Sequence, residues 1–178
     1  MAREIKDRGM PRRVLDLVLL SVLPILMSCG RVVFHEFTAL DGGRWSNTDT
    51  LTFVYDGSLD KEETVGYEMS VEVRTDASYP YKMLSVRVES IDMHTEGIIS
   101  VDTLHCAVYD AQGRRMGATA GMLYQVSSEP LFVEKGCGDS IMFRLTHAMY
   151  SDELVGVSDV GLRLCASSGH GRRLSSGT

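Results

Sequence analysis

Apolar and polar residues alternate along most of this chain. Tyr67, Met69, Val71 and Val73 interleave with Glu68, Ser70, Glu72 and Arg74. A period of two sends these sets to opposite faces of an extended strand, one facing a core and one facing water. Leu51, Phe53 and Tyr55 alternate with the Thr50 and Thr52 face. Leu84, Val86 and Val88 alternate with Ser85, Arg87 and Glu89. Ile98 to Tyr109 is a long run rich in Val, Ile and Thr, a composition that suits a pleated, half-buried surface. Its alternation places Val101, Thr103 and His105 on one face and Leu104, Cys106 and Val108 on the other. Ile141, Phe143 and Leu145 predict a further strand, and Val160, Leu162 and Leu164 the last. Val32 to Phe37 predicts a short strand near the N-terminus.

Turn residues separate these runs. Thr75-Asp76-Ala77-Ser78-Tyr79-Pro80 follows the Tyr67 to Arg74 strand, and Asp110-Ala111-Gln112-Gly113 follows the long run. Asp56 to Thr64 is charged and polar and reads as a loop. Met116 to Phe132 has no clean period, and Gly117, Gly121 and Pro130 punctuate it. It reads as a long irregular connection with room for a helical turn. No amphipathic helix is evident beyond the first 28 residues. Short alternating strands divided by turns predict an all-β fold, a single antiparallel β-sandwich. A jelly roll and an immunoglobulin-like Greek key both satisfy the pattern.

The N-terminus follows a different rule. Arg12 and Arg13 precede an apolar run from Val14 to Met27 that contains Asp16, Ser21 and Pro24. That run is 14 residues, against about 20 for a membrane span. Asp16 is costly in hydrocarbon and Pro24 breaks a helix. A charged start, a short apolar stretch and Leu26-Met27-Ser28 before Cys29 look like a cleaved bacterial lipoprotein signal. On this reading residues 1–28 are removed, and Cys29 carries the acyl chains, palmitate among them. Residues 29–47 form a tether with one short strand, 48–165 the sandwich, and 166–178 a disordered tail.

Charge narrows the partners. The whole chain holds 18 basic and 24 acidic residues. Setting aside Arg3, Lys6, Arg8, Arg12 and Arg13 with Glu4, Asp7 and Asp16 leaves 13 basic and 21 acidic, a net charge of −8. An acidic domain without a basic stripe does not suit nucleic acid, and its membrane attachment rests on lipid rather than on charge. Cys106, Cys137 and Cys165 remain beyond Cys29. The spacing includes no CxxC and no His/Cys ligand set, so no metal and no cofactor are expected. Were the strands at 139–147 and 157–165 paired antiparallel, Cys137 would lie near Cys165. Two residues of slippage would bring their Cα atoms within about 4.4–6.8 Å, so this pair is the candidate disulfide.

Candidate chemistry is sparse. His147 and Asp152 with Ser151 or Ser158 contain the residue types of a hydrolase, but no G-x-S-x-G elbow surrounds either serine. His147 is read as a strand end satisfying a loop carbonyl, and the chain as no enzyme. Asp56-Gly57-Ser58-Leu59-Asp60 lacks the spaced oxygens, central glycine and closing glutamate of a calcium loop. Tyr79 and Tyr81 flank Pro80 at a turn and are the candidate partner-binding residues.

Four segments in order carry a resemblance. They are Trp45 with Asp49-Thr50-Leu51-Thr52-Phe53, and Arg74-Thr75-Asp76 leading to Tyr79-Pro80-Tyr81. Then come Asp102-Thr103-Leu104-His105-Cys106 leading to Gly117 and Leu123-Tyr124. The most specific is His147-Ala148-Met149 and Asp152 with Leu154-Val155-Gly156-Val157 and Asp159-Val160-Gly161-Leu162-Arg163. With the signal at Cys29 they resemble the GldH family of gliding-motility lipoproteins of Bacteroidetes, over roughly Cys29 to Leu164. Cys137, Cys165 and the Arg114-Arg115-Met116 stretch depart from that family's pattern. The resemblance implies a non-enzymatic accessory lipoprotein of the envelope machinery for gliding and its linked secretion route. Its partners would be envelope proteins. The short run after Cys29 lacks the acidic cluster of surface-exported lipoproteins, so the expected address is the periplasmic face of the outer membrane. Asp49-Thr50, Asp102-Thr103 and Asp139-Ser140 look like the short O-glycosylation pattern of exported proteins in that phylum. The alternative is a carbohydrate- or ligand-binding sandwich that feeds an outer-membrane importer. A sugar-binding face would present two or three coplanar exposed aromatics.

Overall fold

A computed structural model describes residues 31–59, 64–136 and 140–167. The expected signal at residues 1–28, Cys29, Asp60, Cys137, Asp139 and residues 168–178 lie outside the described residues. The strands in chain order are β1 (Val32–Ala39), β2 (Arg44–Ser46), β3 (Leu51–Asp56), β4 (Gly66–Thr75), β5 (Met83–Asp92) and β6 (Ile98–Ala107). They continue with β7 (Ala118–Ala120), β8 (Leu123–Ser127), β9 (Leu131–Glu134), β10 (Ser140–His147), β11 (Glu153–Val155) and β12 (Val157–Ser167).

One sheet runs β1-β12-β4-β8-β7, with β9 also on β4, and the other runs β3-β10-β5-β6. All the pairings are antiparallel. β8 and β9 share one edge of β4, at Glu72–Thr75 and Gly66–Met69. Counted as two halves of one strand, they complete two four-stranded layers, to which the three-residue β7 adds a short edge beside β8. The chain crosses between layers after β1 (by way of β2), β3, β4, β6, β9 and β10 (by way of β11). This is the strand order of a jelly roll. An immunoglobulin sandwich would instead pair more strands with their sequence neighbours.

The alternating residues meet between the layers. Met69, Val71, Val73, Val160, Leu162 and Leu164 from one sheet are buried. They face Phe53, Leu84, Val86, Val88, Cys106, Ile141, Phe143 and Leu145 from the other. Burying each such side chain contributes about 1.5–3 kcal/mol. The faces assigned to Ile98–Tyr109 also hold: Leu104, Cys106 and Val108 are buried, and Val101, Thr103 and His105 are exposed.

Three expectations need correction. The stretch from Met116 to Phe132 is not irregular, because β7, β8 and the start of β9 lie in it. The second edge of β4 needs hydrogen-bond partners, and tertiary pairing supplies them where local alternation is weak. Pro130 has no N–H, so the ladder breaks there. Ser128 bridges the break: its N–H donates to the Val71 carbonyl (2.8 Å), and its Oγ accepts from Val71 N–H (3.1 Å). Next, the segment taken for a tether is part of the sandwich. β1 pairs with β12 from Val32 to Ala39, and Phe34 packs edge-on against Phe53 and Tyr55 at 6.4 and 6.0 Å. Last, β12 continues through Ser167, so residues 166 and 167 are strand.

Glu72 departs from the alternation as well. It points away from the core yet is buried. His35 Nε2 lies 3.1 Å from its carboxylate, and Gln125 Nε2 donates to it at 2.7 Å. Phe37 also crosses this face, opposite Gly161 in the ladder. A Cβ at Gly161 would meet the Phe37 ring at 2.7 Å, so the bare backbone makes room for it. The Arg74 guanidinium stacks on the same ring, 3.8 Å from its centroid.

Candidate functional site

Tyr79, Tyr81, His147, Ser151 and Asp152 converge on one end of the sandwich. The β4–β5 turn there is built by Asp76, whose Oδ1 accepts from Ser78 N (2.7 Å) and Ser78 Oγ (2.6 Å). These bonds, the side-chain one foremost, hold the Asp76 carboxyl below its usual range. Arg115 donates to the Asp76 carbonyl and to Thr75 Oγ1. Its guanidinium lies over the rings of Tyr109 and Tyr124, at 4.9 and 4.6 Å.

That frame separates the two tyrosines. Tyr79 is buried, donates its hydroxyl to the Met83 carbonyl (3.1 Å), and accepts from Tyr109 OH at its own carbonyl (3.3 Å). Burial pushes its phenol far above the usual range. Tyr79 is therefore a core residue and offers no surface to a partner, contrary to the expectation for it. Tyr81 is exposed, with its ring edge-on to Tyr79 at 5.7 Å. Tyr150 in the β10–β11 loop is fully exposed, and so nearly is Met122 between β7 and β8. Sequence reasoning missed both, because lone apolar residues in loops carry no periodic signal.

Beside this turn the short β2–β11 pair covers the sandwich end, with Trp45 opposite Leu154. Both are fully buried. Trp45 Nε1 donates to the Asp49 carbonyl (3.1 Å), and its ring meets His147 edge-on at 5.5 Å. Asn47 Nδ2 donates to Asp152 Oδ1 (3.0 Å), and Ser151 Oγ donates to the Glu153 carbonyl (2.7 Å). Those bonds occupy Asp152 and Ser151 in holding the loop. Arg44 pairs with Glu153 on the surface.

His147 ends β10 as expected, with the backbone of Asp152 in the following loop and of Trp45 close to its ring. Its Nδ1 accepts from Met149 N–H (3.4 Å), while its buried Nε2 makes no hydrogen bond. Burial holds the imidazole below its ordinary value of 6.5, against the opposing pull of those backbone groups and of Asp152 and Asp49. A lowered value means the unfolded chain binds the proton more readily, so stability is full above about 6.5 and falls as pH drops below it. Urea midpoints between pH 8 and pH 5 should therefore decline in the wild type. His147→Gln should flatten that decline, and an unchanged slope would show that His147 does not drive it.

The remaining candidates are dispersed. Cys106 is buried, with Sγ 3.5 Å from the Val71 carbonyl. Its thiol is pushed up to about 12, first by burial and then by the charge of Glu72. Cys165 is a free thiol on β12, opposite Glu68 and Val32. The strand pairing proposed to bring Cys137 to it does not form, because β10 lies between β3 and β5 in the opposite sheet. Asp56 Oδ1 accepts from Ser58 N–H (3.0 Å) and Ser140 Oγ (3.3 Å), closing a turn. Thr50 and Thr103 are exposed and Ser140 is half-buried. Exposed aromatics among the described residues are Tyr81 in the β4–β5 loop, Phe132 on β9 and Tyr150 in the β10–β11 loop.

Comparison with known proteins bears on the family. A family model described as GldH lipoprotein matches residues 32–164. No curated protein matches the chain. Among solved structures the chain is similar to the Eiger TNF of S. frugiperda, at 11% identity and TM-score 0.33, over 79% of this chain and 96% of that one. It is also similar to the infectious bursal disease virus Gx strain structure, at 10% identity and TM-score 0.31, over 79% and 31%. A CocE/NonD family hydrolase from Staphylococcus aureus matches at 9% identity and TM-score 0.33, over 77% and 32%. Likenesses this weak say nothing of function. The family match spans β1 to β12, from the strand that opens the sandwich to the one that completes it, and the chain belongs to the GldH lipoprotein family.

Proposed function

We propose that this chain is a non-enzymatic accessory protein of the gliding-motility and linked secretion machinery, held by acylated Cys29 at the outer membrane and facing the periplasm. Membership of a lipoprotein family makes it a lipid-anchored envelope protein, and that membership is the observation on which the proposal stands. The loop end supports a docking role. Asp152 and Ser151 are engaged in loop structure, His147 lies behind Trp45, and Tyr81 and Tyr150 stand exposed. Exposed aromatics give large contact area at low conformational cost, which suits recognition of another protein. The sole tryptophan is fully buried, which weighs against a sugar-stacking platform.

The test is affinity purification of the full-length acylated chain from detergent-solubilised membranes. Envelope proteins should accompany the wild type and be lost from the Tyr81→Ala/Tyr150→Ala double variant. A chain that emerges alone, or with unchanged companions in the variant, would remove the docking reading.

A further inference from the structure

The acyl anchor and the first strand leave almost no chain between them. Arg31 is already held, its carbonyl accepting from Ala166 N–H at 2.8 Å. Only Gly30 separates it from Cys29. At about 3.3–3.6 Å per residue, two residues reach roughly 7 Å. An acylated Cys29 sits at the headgroups, so the sandwich cannot stand away from the bilayer.

The same geometry selects which end meets it. In the sheet that holds β1, Val65 N–H donates to the Ser167 carbonyl (3.4 Å), and Lys135 N–H donates to the Val65 carbonyl (3.3 Å). The starts of β1 and β4 and the ends of β9 and β12 therefore lie side by side. A Cβ at Gly136 would meet Asp92 Oδ2 at 2.4 Å, so the β5–β6 turn of the other sheet adjoins them. This end exposes Val32, Val65, Met93 and Ile98, drawn from both sheets. Buried apolar area there adds to the acyl chains without requiring a basic patch. Tyr81, Met122 and Tyr150 lie toward the opposite end, where β4 finishes and β5 begins.

We infer that the end carrying Val32, Val65, Met93 and Ile98 rests on the lipid surface itself, which turns the Trp45 and Tyr81 end away from the membrane. This inference rests on the proposed acylation of Cys29. Its test uses the full acylated chain on phosphatidylethanolamine and phosphatidylglycerol vesicles whose acyl chains are brominated near the headgroup. Val65→Trp, Met93→Trp and Tyr150→Trp each add one ring at an exposed position, over the constant background of buried Trp45. The rings at 65 and 93 should lose most of their added emission to bromine, and the ring at 150 should keep its own. Flotation of the same samples separates the two ideas. A chain that fails to float, with Cys29→Ser behaving identically, removes the anchor. A chain that floats while all three rings are quenched alike, or not at all, leaves the anchor standing and overturns the orientation. Protection at 65 and 93 that follows the protein-to-lipid ratio would show a second copy covering this end, and would overturn it too.

Discussion

Replacing Phe143 with alanine should lower the unfolding free energy by about 3–5 kcal/mol. Phe143 lies in the middle of β10, is fully buried, and stands opposite Phe53 on β3 and Ser90 on β5. β10 is hydrogen-bonded on both sides, so its backbone cannot shift inward to fill the space the ring leaves. The lost transfer energy and the residual cavity then add. The loss is a large share of the roughly 5–15 kcal/mol that holds a domain together. Urea denaturation should show a much lower midpoint at an unchanged slope. Val71→Ala, which removes fewer buried atoms, should lose less. A loss below about 1 kcal/mol for Phe143→Ala would mean that the two sheets do not close on this ring.

Gly156→Ala should be nearly as damaging, although it adds only a methyl group. Gly156 joins β11 to β12 with φ +82°, a left-handed conformation that favours glycine. An added Cβ would meet Tyr79 N at 2.5 Å, Ser78 Oγ at 2.7 Å and Asp76 Oδ1 at 2.9 Å. Left-handed backbone costs alanine about 1–2 kcal/mol, and overpacking adds about 1–3 more. The expected total is about 2–5 kcal/mol. The backbone here cannot retreat freely, because Gly156 N–H donates to the Gly43 carbonyl (2.8 Å) and its own carbonyl accepts from Asp76 N–H (3.0 Å). Gly42→Ala is the control. Its φ is +63°, and a Cβ there meets nothing within 4 Å, so it should lose only the conformational part. Equal losses in the two variants would show that the contact with the Tyr79 turn is not the cause.

The site was legible only in part. The sequence places Tyr79 and Tyr81 alike beside Pro80, two residues apart. A period of two says nothing in a turn, where the chain direction changes at each residue. Packing separates them: Tyr79 finds acceptors and neighbours beneath the turn, and Tyr81 is left above it. Tyr150 and Trp45 differ in the same way. Trp45 carries no periodic signal in its polar stretch, and it is the pairing of β2 with β11 that seals it against His147.

Local alternation alone determined β3, β4, β5, β6, β10 and β12. Each has one face buried against the opposite sheet, so the apolar set must recur at every second residue. The same constraint determined the all-β class and the lipoprotein resemblance, because both live in short contiguous segments. Only the tertiary structure decided what depends on residues far apart in the chain. The jelly-roll order is one such feature, since neither layer's faces name their neighbours. The pairing of β8 and β9 along β4 is another, because Pro130 and two glycines mask the period while the open edge of β4 still demands partners. The burial of Glu72 is a third, since its partners His35 and Gln125 come from strands more than thirty residues away in the sequence. The tether vanished for the same reason. Val32 to Phe37 is legible as a short strand, and becomes part of the sandwich because β12 offers it a complete ladder.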